Sequence, residues 1–188
     1  MRQYPQFVRV AQTVIRKWSR GSDRRRWEAW DAQRYASRTA QMAPHVGQGK
    51  TVLEFGAADR LMEQHLSPCC TYIPSDFIDR GPDYFVCNLN DPVLPEFPRC
   101  DVVVIAGVLE YIHDVPRVAN KLSRNVPRIV VSYCTKEGYP SLWFRRGCGQ
   151  VNEYSEAQFV AIFENAGYQC LSRESWTQQR IFVFQLPE

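Results

Sequence analysis

Residues 51–60 contain the side chains best suited to chemistry. An apolar strand is predicted at 51–55 with Glu54 near its end, Gly56 supplies a tight turn, and a helix is predicted to begin near Asp59. A backbone that turns at the carboxyl end of a strand and presents the amides of a helix N-terminus suits a nucleotide-like ligand. A carboxylate just before the turn favours a ligand with positive charge over a phosphate. The turn therefore predicts a site for a cationic nucleotide-like ligand.

Alternating strands and helices must position this turn. The predicted strands are 51–55, 70–74, 84–87, 101–106, 128–134, 168–173 and 180–186. The predicted helices are 4–18, 23–42, 59–66, one that Asp114 caps, and 155–167, which starts with a capping box. The segment between the second and third strands is too short for a helix. The pattern predicts an α/β, Rossmann-like sheet, mostly parallel, with one antiparallel strand from a C-terminal hairpin.

Length and composition indicate an ordinary globular protein. The chain has 188 residues, of which 45% are hydrophobic and 23% charged. The longest nearly apolar run, 102–109, is too short to span a bilayer, and the N-terminus has no apolar core of a secretory signal. We therefore expect a cytoplasmic location. Seven cysteines lack the spacing of a zinc site, which predicts free thiols and no metal.

The charge is distributed unevenly along the chain. Residues 1–45 hold ten Lys or Arg against three Asp or Glu (+7), and residues 46–188 hold thirteen against seventeen (−4). We predict an N-terminal helical cap or arm at 1–45 and a main domain at 46–188. Arginines interleaved with aromatics can bind RNA or acidic partners. The alternative, which the near-helical spacing of the aromatics favours, is an amphipathic cap with solvated arginines.

Four segments share order and character with a known family. They are residues 52–59 (Val-Leu-Glu-Phe-Gly-Ala-Ala-Asp), Asp76 at the end of the second strand, Asn88-Leu89-Asn90, and residues 100–112 through the fourth strand. With the last helix and hairpin, they resemble a class I S-adenosylmethionine-dependent methyltransferase over about three-quarters of the chain. The resemblance implies that S-adenosylmethionine is the cofactor and 46–188 the methyltransferase-like domain.

The resemblance also implies a set of cofactor-binding residues. Asp76 would bind the ribose hydroxyls, and the dipeptide Asn88-Leu89 would contact the adenine. The implied cofactor contacts are Glu54, Gly56, Ala57, Ala58, Asp76, Asn88, Leu89 and Ala106. The family usually has three glycines in its first motif, and Ala58 and Arg60 replace the second and third. Asn88 has an alternative role in a turn before Asp91-Pro92.

Methyl transfer from this cofactor is an in-line displacement, so a protein mainly holds the reactants in line and excludes water. A base is needed only for a poorly acidic acceptor. Tyr111 and His113 are the candidate catalytic residues, with packing and solvation as their alternatives. Arg145, Arg146 and Tyr154 are predicted to bind substrate, unless this segment is a lid with solvated arginines.

The predicted function is methyl transfer to a small-molecule acceptor. One alternative is a non-catalytic protein of this fold with a binding or scaffolding role, which Ala58 and Arg60 favour. Another is an RNA methyltransferase that uses the basic arm, although no Asn-Pro-Pro-Tyr-type motif follows the fourth strand. A nicotinamide-dependent dehydrogenase is disfavoured because its glycine fingerprint is not met. We expect no membrane span.

Overall fold

A seven-stranded sheet forms the centre of the protein in a computed structural model that describes residues 35–187. The strands are β1 Thr51–Phe55, β2 Thr71–Asp76, β3 Phe85–Val86, β4 Val102–Ala106, β5 Arg128–Tyr133, β6 Gln169–Trp176 and β7 Gln179–Gln185. Their order is β3-β2-β1-β4-β5-β7-β6. The pairs among β1 to β5 are parallel, and β7 runs antiparallel to β5 and β6. The predicted mostly parallel sheet with one inserted antiparallel strand is confirmed.

Four α-helices accompany the sheet in the described residues. They are α1 Ala36–Met42, α2 Val115–Leu122, α3 Leu142–Gly147 and α4 Glu156–Asn165. Asp114 caps α2, accepting a hydrogen bond from the amide of Arg117 at 3.0 Å. Ser155 and Gln158 form the predicted capping box of α4. These caps satisfy amides that have no partner within their own helix, which fixes where each helix begins.

The two faces of the sheet carry separate apolar cores. Residues such as Leu53, Val103 and Val131 face a large cluster that includes α2 and α4. The alternate residues Val52 and Val104 face a smaller cluster with Met42 of α1. Side chains alternate between faces along each strand, so strands covered on both sides become continuous apolar runs. This explains why β4 has no polar residue.

The predicted helix at 59–66 is wrong. The chain makes successive turns there and only a short 3-10 helix at Glu63–His65. Ala58 has φ 45° and Arg60 has φ 59°, values that a right-handed helix excludes. The chain therefore leaves β1 through a turn in which Ala58 and Arg60 are left-handed, and no α-helix follows before β2. The structure also forms α3 within the 133–154 segment, where no helix was predicted.

The N-terminal predictions extend beyond the described residues. The predicted helix at 4–18 lies outside them, and of the helix at 23–42 the structure describes α1, at its C-terminal end. Met42 is fully buried against the sheet. The division into a cap at 1–45 and a domain at 46–188 stays a prediction. Within residues 35–187, no helix is long and apolar enough to cross a membrane, and no group of side chains could hold a metal ion.

Candidate active site

The carboxyl group of Glu54 is buried at the end of β1. Only 4% of the residue is exposed, and the phenol of Tyr72 on β2 donates a hydrogen bond to its Oε2. Burial raises the pKa of Glu54 to about 8, against the opposing effects of the Tyr72 hydrogen bond and the charge of Arg38. Glu54 therefore holds a proton near neutral pH and becomes a strong partner for a cation once it ionises.

The turn after β1 is held by the backbone of β2. The amides of Gly56 and Ala57 both donate to the carbonyl of Ser75, at 2.8 and 2.9 Å. The expected arrangement, with helix N-terminal amides facing a ligand, is therefore not formed at these two residues. Gly56 has φ 75°, and a Cβ there would lie 2.4 Å from Cγ2 of Val108. Glycine is required at this position by both backbone conformation and space.

Three contacts hold Ala58 and Arg60, the left-handed residues of the turn. The hydroxyl of Tyr84 donates to the carbonyl of Ala58 at 2.7 Å. The guanidinium of Arg60 donates to both carboxylate oxygens of Glu63, at 2.9 and 2.8 Å, and lies 3.7 Å from Asp83. The side chain of Arg60 is thus held by the carboxylates of Glu63 and Asp83. Ala58 and Arg60 therefore have the left-handed conformation that glycine adopts easily, and contacts with neighbouring segments stabilise it.

Asp76 lies at the carboxyl end of β2, as its predicted role in ribose binding requires. It is 4% exposed. Its carboxylate accepts from Arg80 Nε at 2.7 Å and from the amide of Ile78 at 3.2 Å. The acceptor capacity that a ribose would use is therefore shared with Arg80, and ribose binding at Asp76 stays a prediction.

Asn88 forms a turn, which is the alternative role that we predicted for it from the sequence. Its Oδ1 accepts from the amide of Asn90 at 3.0 Å, and its Nδ2 donates to Asp91 at 2.8 Å. Leu89 is 3% exposed and packs in the larger core. The adenine contacts predicted for both residues stay predictions.

The loop after β4 carries both candidate catalytic residues. Asn90 fixes this loop, because its Nδ2 donates to the carbonyl of Tyr111 and its Oδ1 accepts from the amide of His113, both at 2.9 Å. Tyr111 is half-buried and His113 is exposed. The backbone position of this loop is thus coupled to the predicted adenine segment.

The predicted substrate residues differ in availability. Arg145 is 1% exposed, and its guanidinium donates to the carbonyls of Cys134, Thr135 and Tyr139 and to Gln150. Arg146 is partly exposed and pairs with Glu153 at 3.1 Å. Tyr154 is half-buried beside the ring of Tyr133. Arg145 thus organises the segment after β5 from within, while Arg146 and Tyr154 lie nearer its surface.

Sequence reasoning missed three polar residues near the predicted site, namely Arg38 on α1, Tyr72 on β2 and Glu110 after β4. Arg38 on α1 is 6% exposed and donates to the carbonyl of Ala106 at 3.1 Å. Glu110 is 1% exposed and accepts from the amide of Cys134 at 2.7 Å. Arg38 lies one helical turn before Met42, so a charge on the buried stripe of α1 was the available signal.

Comparison with known proteins identifies the family. Residues 26–173 match the family model described as a methyltransferase domain. No curated protein matches the chain. Among solved structures, a protein assigned as an O-methyltransferase from Nostoc punctiforme superposes with a TM-score of 0.70 at 13% identity, covering 96% of this chain and 67% of that one.

Two further structures share the fold over nearly their whole length. The magnesium protoporphyrin IX methyltransferase of Synechocystis, with bound S-adenosylhomocysteine, has a TM-score of 0.63 at 16% identity, covering 94% of this chain and 100% of that one. The 1,6-didemethyltoxoflavin-N1-methyltransferase of Burkholderia thailandensis has a TM-score of 0.63 at 14% identity, covering 100% of this chain and 92% of that one. At these identities the likeness shows the fold, and the family model adds the assignment. The chain belongs to the methyltransferase domain family and has the fold of its class I, S-adenosylmethionine-dependent members.

Proposed function

We propose that this protein transfers a methyl group from S-adenosylmethionine to a small-molecule acceptor. The observation that carries the proposal is the buried carboxyl of Glu54, placed at the carboxyl end of β1 directly before a left-handed glycine turn. A carboxyl group withdrawn from water interacts strongly with a cation such as the amino group of this cofactor. A solved relative by fold contains a small molecule, 1,6-didemethyltoxoflavin, together with S-adenosylhomocysteine.

The residues present fit the cofactor. A Cβ at Gly56 would strike Val108, so glycine lets the turn after β1 pack closely against the loop after β4. Glu54 would hold the amino group, and Asp76, on the neighbouring strand, the ribose hydroxyls. Ala58 adds only a methyl group to the turn and already has the left-handed conformation of a glycine. The carboxyl ends of parallel strands are where such folds bind their ligands.

The chemistry divides between cofactor and protein. When bound, the cofactor supplies a methyl group on a sulfonium, which is the electrophile. The chain would orient the reactants. Glu54 would bind the positively charged amino group of the cofactor, and the hydrogen bonds of Asn90 fix the loop after β4. An acidic acceptor, such as a carboxylate or thiolate, needs no base from the protein. For an alcohol, Tyr111 or His113 would take the proton.

Calorimetric titration with S-adenosylmethionine and S-adenosylhomocysteine tests the proposal. We expect binding, and we expect Gly56→Arg to abolish it, because any side chain at Gly56 collides with Val108. Gly49→Arg is the matched control, since Gly49 also has a positive φ but no atom within 4 Å of its Cβ position. A wild-type protein that binds neither compound at millimolar concentration is not a methyltransferase.

One observation favours a second candidate function, a non-catalytic protein of this fold. Arg80 pairs with Asp76 at 2.7 Å, where a ribose would have to compete. A scaffold of this kind would keep the fold and bind the cofactor weakly. Arg80→Ala separates the two functions: an enzyme binds the cofactor before the change and keeps that affinity, while a scaffold in which Arg80 blocks Asp76 binds weakly before the change and gains affinity after it.

A further inference from the structure

One asparagine from the segment after β5 holds the backbone of the loop after β4. The Nδ2 group of Asn152 donates to the carbonyls of Leu109 and Ile112, at 2.7 and 2.8 Å. Beside it, the amide of Val151 donates to the carbonyl of Glu110 at 2.8 Å. Leu109, Glu110 and Ile112 are at most 4% exposed, so their carbonyls need partners from the protein. The loop therefore takes its shape from residues that lie far from it in the sequence.

Tyr133, at the end of β5, fixes the orientation of the Asn152 amide group. Its hydroxyl donates to Oδ1 of Asn152 at 2.6 Å and accepts from the amide of Tyr154 at 3.0 Å. Tyr133 is fully buried, and burial raises the pKa of its hydroxyl, which therefore stays a donor. Its ring stacks on Phe159 of α4, with centroids 4.2 Å apart. A side chain that accepts from a hydroxyl and donates to two carbonyls must be an amide, which explains the asparagine.

The same loop is also held by Asn90, in the segment after β3 that we predict to contact the adenine. Nδ2 of Asn90 donates to the carbonyl of Tyr111, and its Oδ1 accepts from the amide of His113, both at 2.9 Å. Tyr111 and His113 are the candidate catalytic residues. Two asparagines thus fix this loop, one from the predicted adenine segment and Asn152 from the segment that contains the predicted substrate residues.

We propose that Asn152 is a positioning residue for methyl transfer. It sets the loop after β4, which carries Tyr111 and His113, against the segment after β5, which would bind the acceptor. Because Asn90 holds the same loop, an ordered adenine segment favours one arrangement of the loop, and Asn152 extends that arrangement to Tyr154. Cofactor binding therefore orders the acceptor segment before the acceptor arrives. The role in methyl transfer rests on the proposed function, whereas the coupling between Asn90 and Tyr154 does not.

Amide hydrogen exchange tests this coupling in the full-length protein, measured by NMR with and without saturating S-adenosylhomocysteine. Exchange at the amide of His113 reports on the contact with Asn90, and exchange at the amide of Tyr154 reports on the acceptor segment. We expect S-adenosylhomocysteine to slow exchange at both amides by about fivefold or more, which is the lower end of the usual range for coupled sites.

Asn152→Ala removes both donors to the loop and separates positioning from a purely structural role. In this variant, S-adenosylhomocysteine should still slow exchange at His113 but should have no effect at Tyr154, with saturation verified by calorimetry. A purely structural role would speed exchange at Tyr154 equally with and without the compound. The ratio of the two exchange rates at Tyr154 therefore decides between the roles.

Tyr168→Phe is the matched control for the loss of a buried hydrogen bond. Tyr168 is 2% exposed, and its hydroxyl donates to the carbonyl of Val126, before the amino end of β5, at 2.8 Å. This variant should keep the effect of S-adenosylhomocysteine at Tyr154. Asn90→Ala replaces Asn152→Ala if the latter does not fold by circular dichroism, because Asn90 is exposed. It should lose the effect of the compound at Tyr154.

Two results in protein saturated with S-adenosylhomocysteine would overturn the proposal. One is unchanged exchange at Tyr154 in the wild type, and the other is equal slowing there in the wild type and the folded variant. If the wild type does not bind S-adenosylhomocysteine, the proposed function fails, and the free protein still tests the coupling. Asn90→Ala should then speed exchange at Tyr154 as well as at His113, and unchanged exchange at Tyr154 would overturn the coupling.

Discussion

At the scale of single residues, Glu54 should make cofactor binding depend on pH. Its pKa is raised to about 8 by burial, so the free protein holds it protonated at pH 6.5. A cationic ligand binds the ionised form better, so affinity for S-adenosylhomocysteine should rise from pH 6 towards pH 8, by at most about tenfold per pH unit. Calorimetry at several pH values measures the rise. Glu54→Gln should remove it, and an equal rise in the variant would assign it to another group.

The same carboxyl should also lower stability as pH rises. Its pKa moves from 4.5 when exposed to about 8 in the fold. Between those values the folded protein keeps a proton that the unfolded chain releases, so stability falls by at most about 1.4 kcal/mol per pH unit. Glu54→Gln should therefore stabilise the protein more at pH 8 than at pH 5 in urea unfolding. A pH-independent difference would contradict the raised pKa.

Gly56→Ala should destabilise the protein through both strain and collision. The positive φ alone costs about 1–2 kcal/mol for a residue with a Cβ. Gly49→Ala isolates that cost, because Gly49 has φ 64° and open space. The excess in Gly56→Ala measures the collision with Val108. Val108→Ala should reduce this excess in the double variant, as seen in thermal unfolding, whereas equal effects at both glycines would mean that Val108 moves freely.

At the scale of elements, the turn after β1 depends on a tie from the segment before β3. Tyr84→Phe removes the hydrogen bond to the carbonyl of Ala58 and should weaken S-adenosylhomocysteine binding by about threefold to tenfold. With Ala58→Gly, the left-handed conformation no longer needs the tie, so Tyr84→Phe should have little further effect. Calorimetry on the four proteins of this cycle measures the coupling. Additive losses would show that Tyr84 acts elsewhere.

This turn also shows how far sequence can predict the protein. The strand segments, the caps at Asp114 and Ser155 and the antiparallel hairpin follow from local patterns, and the structure contains them. The helix at 59–66 was wrong because Ala58 and Arg60 are left-handed, stabilised by Tyr84, Glu63 and Asp83. Arg38 and Glu110 were missed because their hydrogen-bond partners lie far away in the sequence.

The segment after β5 separates two adjacent arginines by role. Arg145 donates to three backbone carbonyls from a buried position, so Arg145→Met should lower the melting temperature by several degrees, as loss of a buried polar network does. Arg146→Met, its partly exposed neighbour, should leave the melting temperature within about one degree. Thermal unfolding of both variants is the measurement. Equal melting temperatures would contradict a structural role for Arg145 and leave substrate binding as its predicted role.

At the scale of the whole molecule, the sheet gathers charge at one edge. Glu54 and Asp76 lie at the carboxyl ends of β1 and β2, and the buried Arg38 of α1 donates to the carbonyl of Ala106 at the end of β4. Arg38 is one of the ten basic residues of 1–45, yet its charge faces the sheet interior rather than solvent. The basic composition of this region therefore overstates the charge available to RNA by at least one residue.

If the basic arm binds RNA, the affinity for RNA should fall as the salt concentration rises. Methyl transfer to a small molecule requires no affinity for RNA. We expect only non-specific affinity, about 10⁻⁴–10⁻⁶ M at physiological salt, because electrostatic contacts alone give that range. Arg24→Gln, Arg25→Gln and Arg26→Gln together should weaken it and flatten its salt dependence, without changing S-adenosylhomocysteine binding. Fluorescence anisotropy with a structured RNA and calorimetry measure the two. Nanomolar RNA affinity that the triple variant loses would instead make RNA the acceptor, because a specific contact must then add several kcal/mol to the electrostatic term.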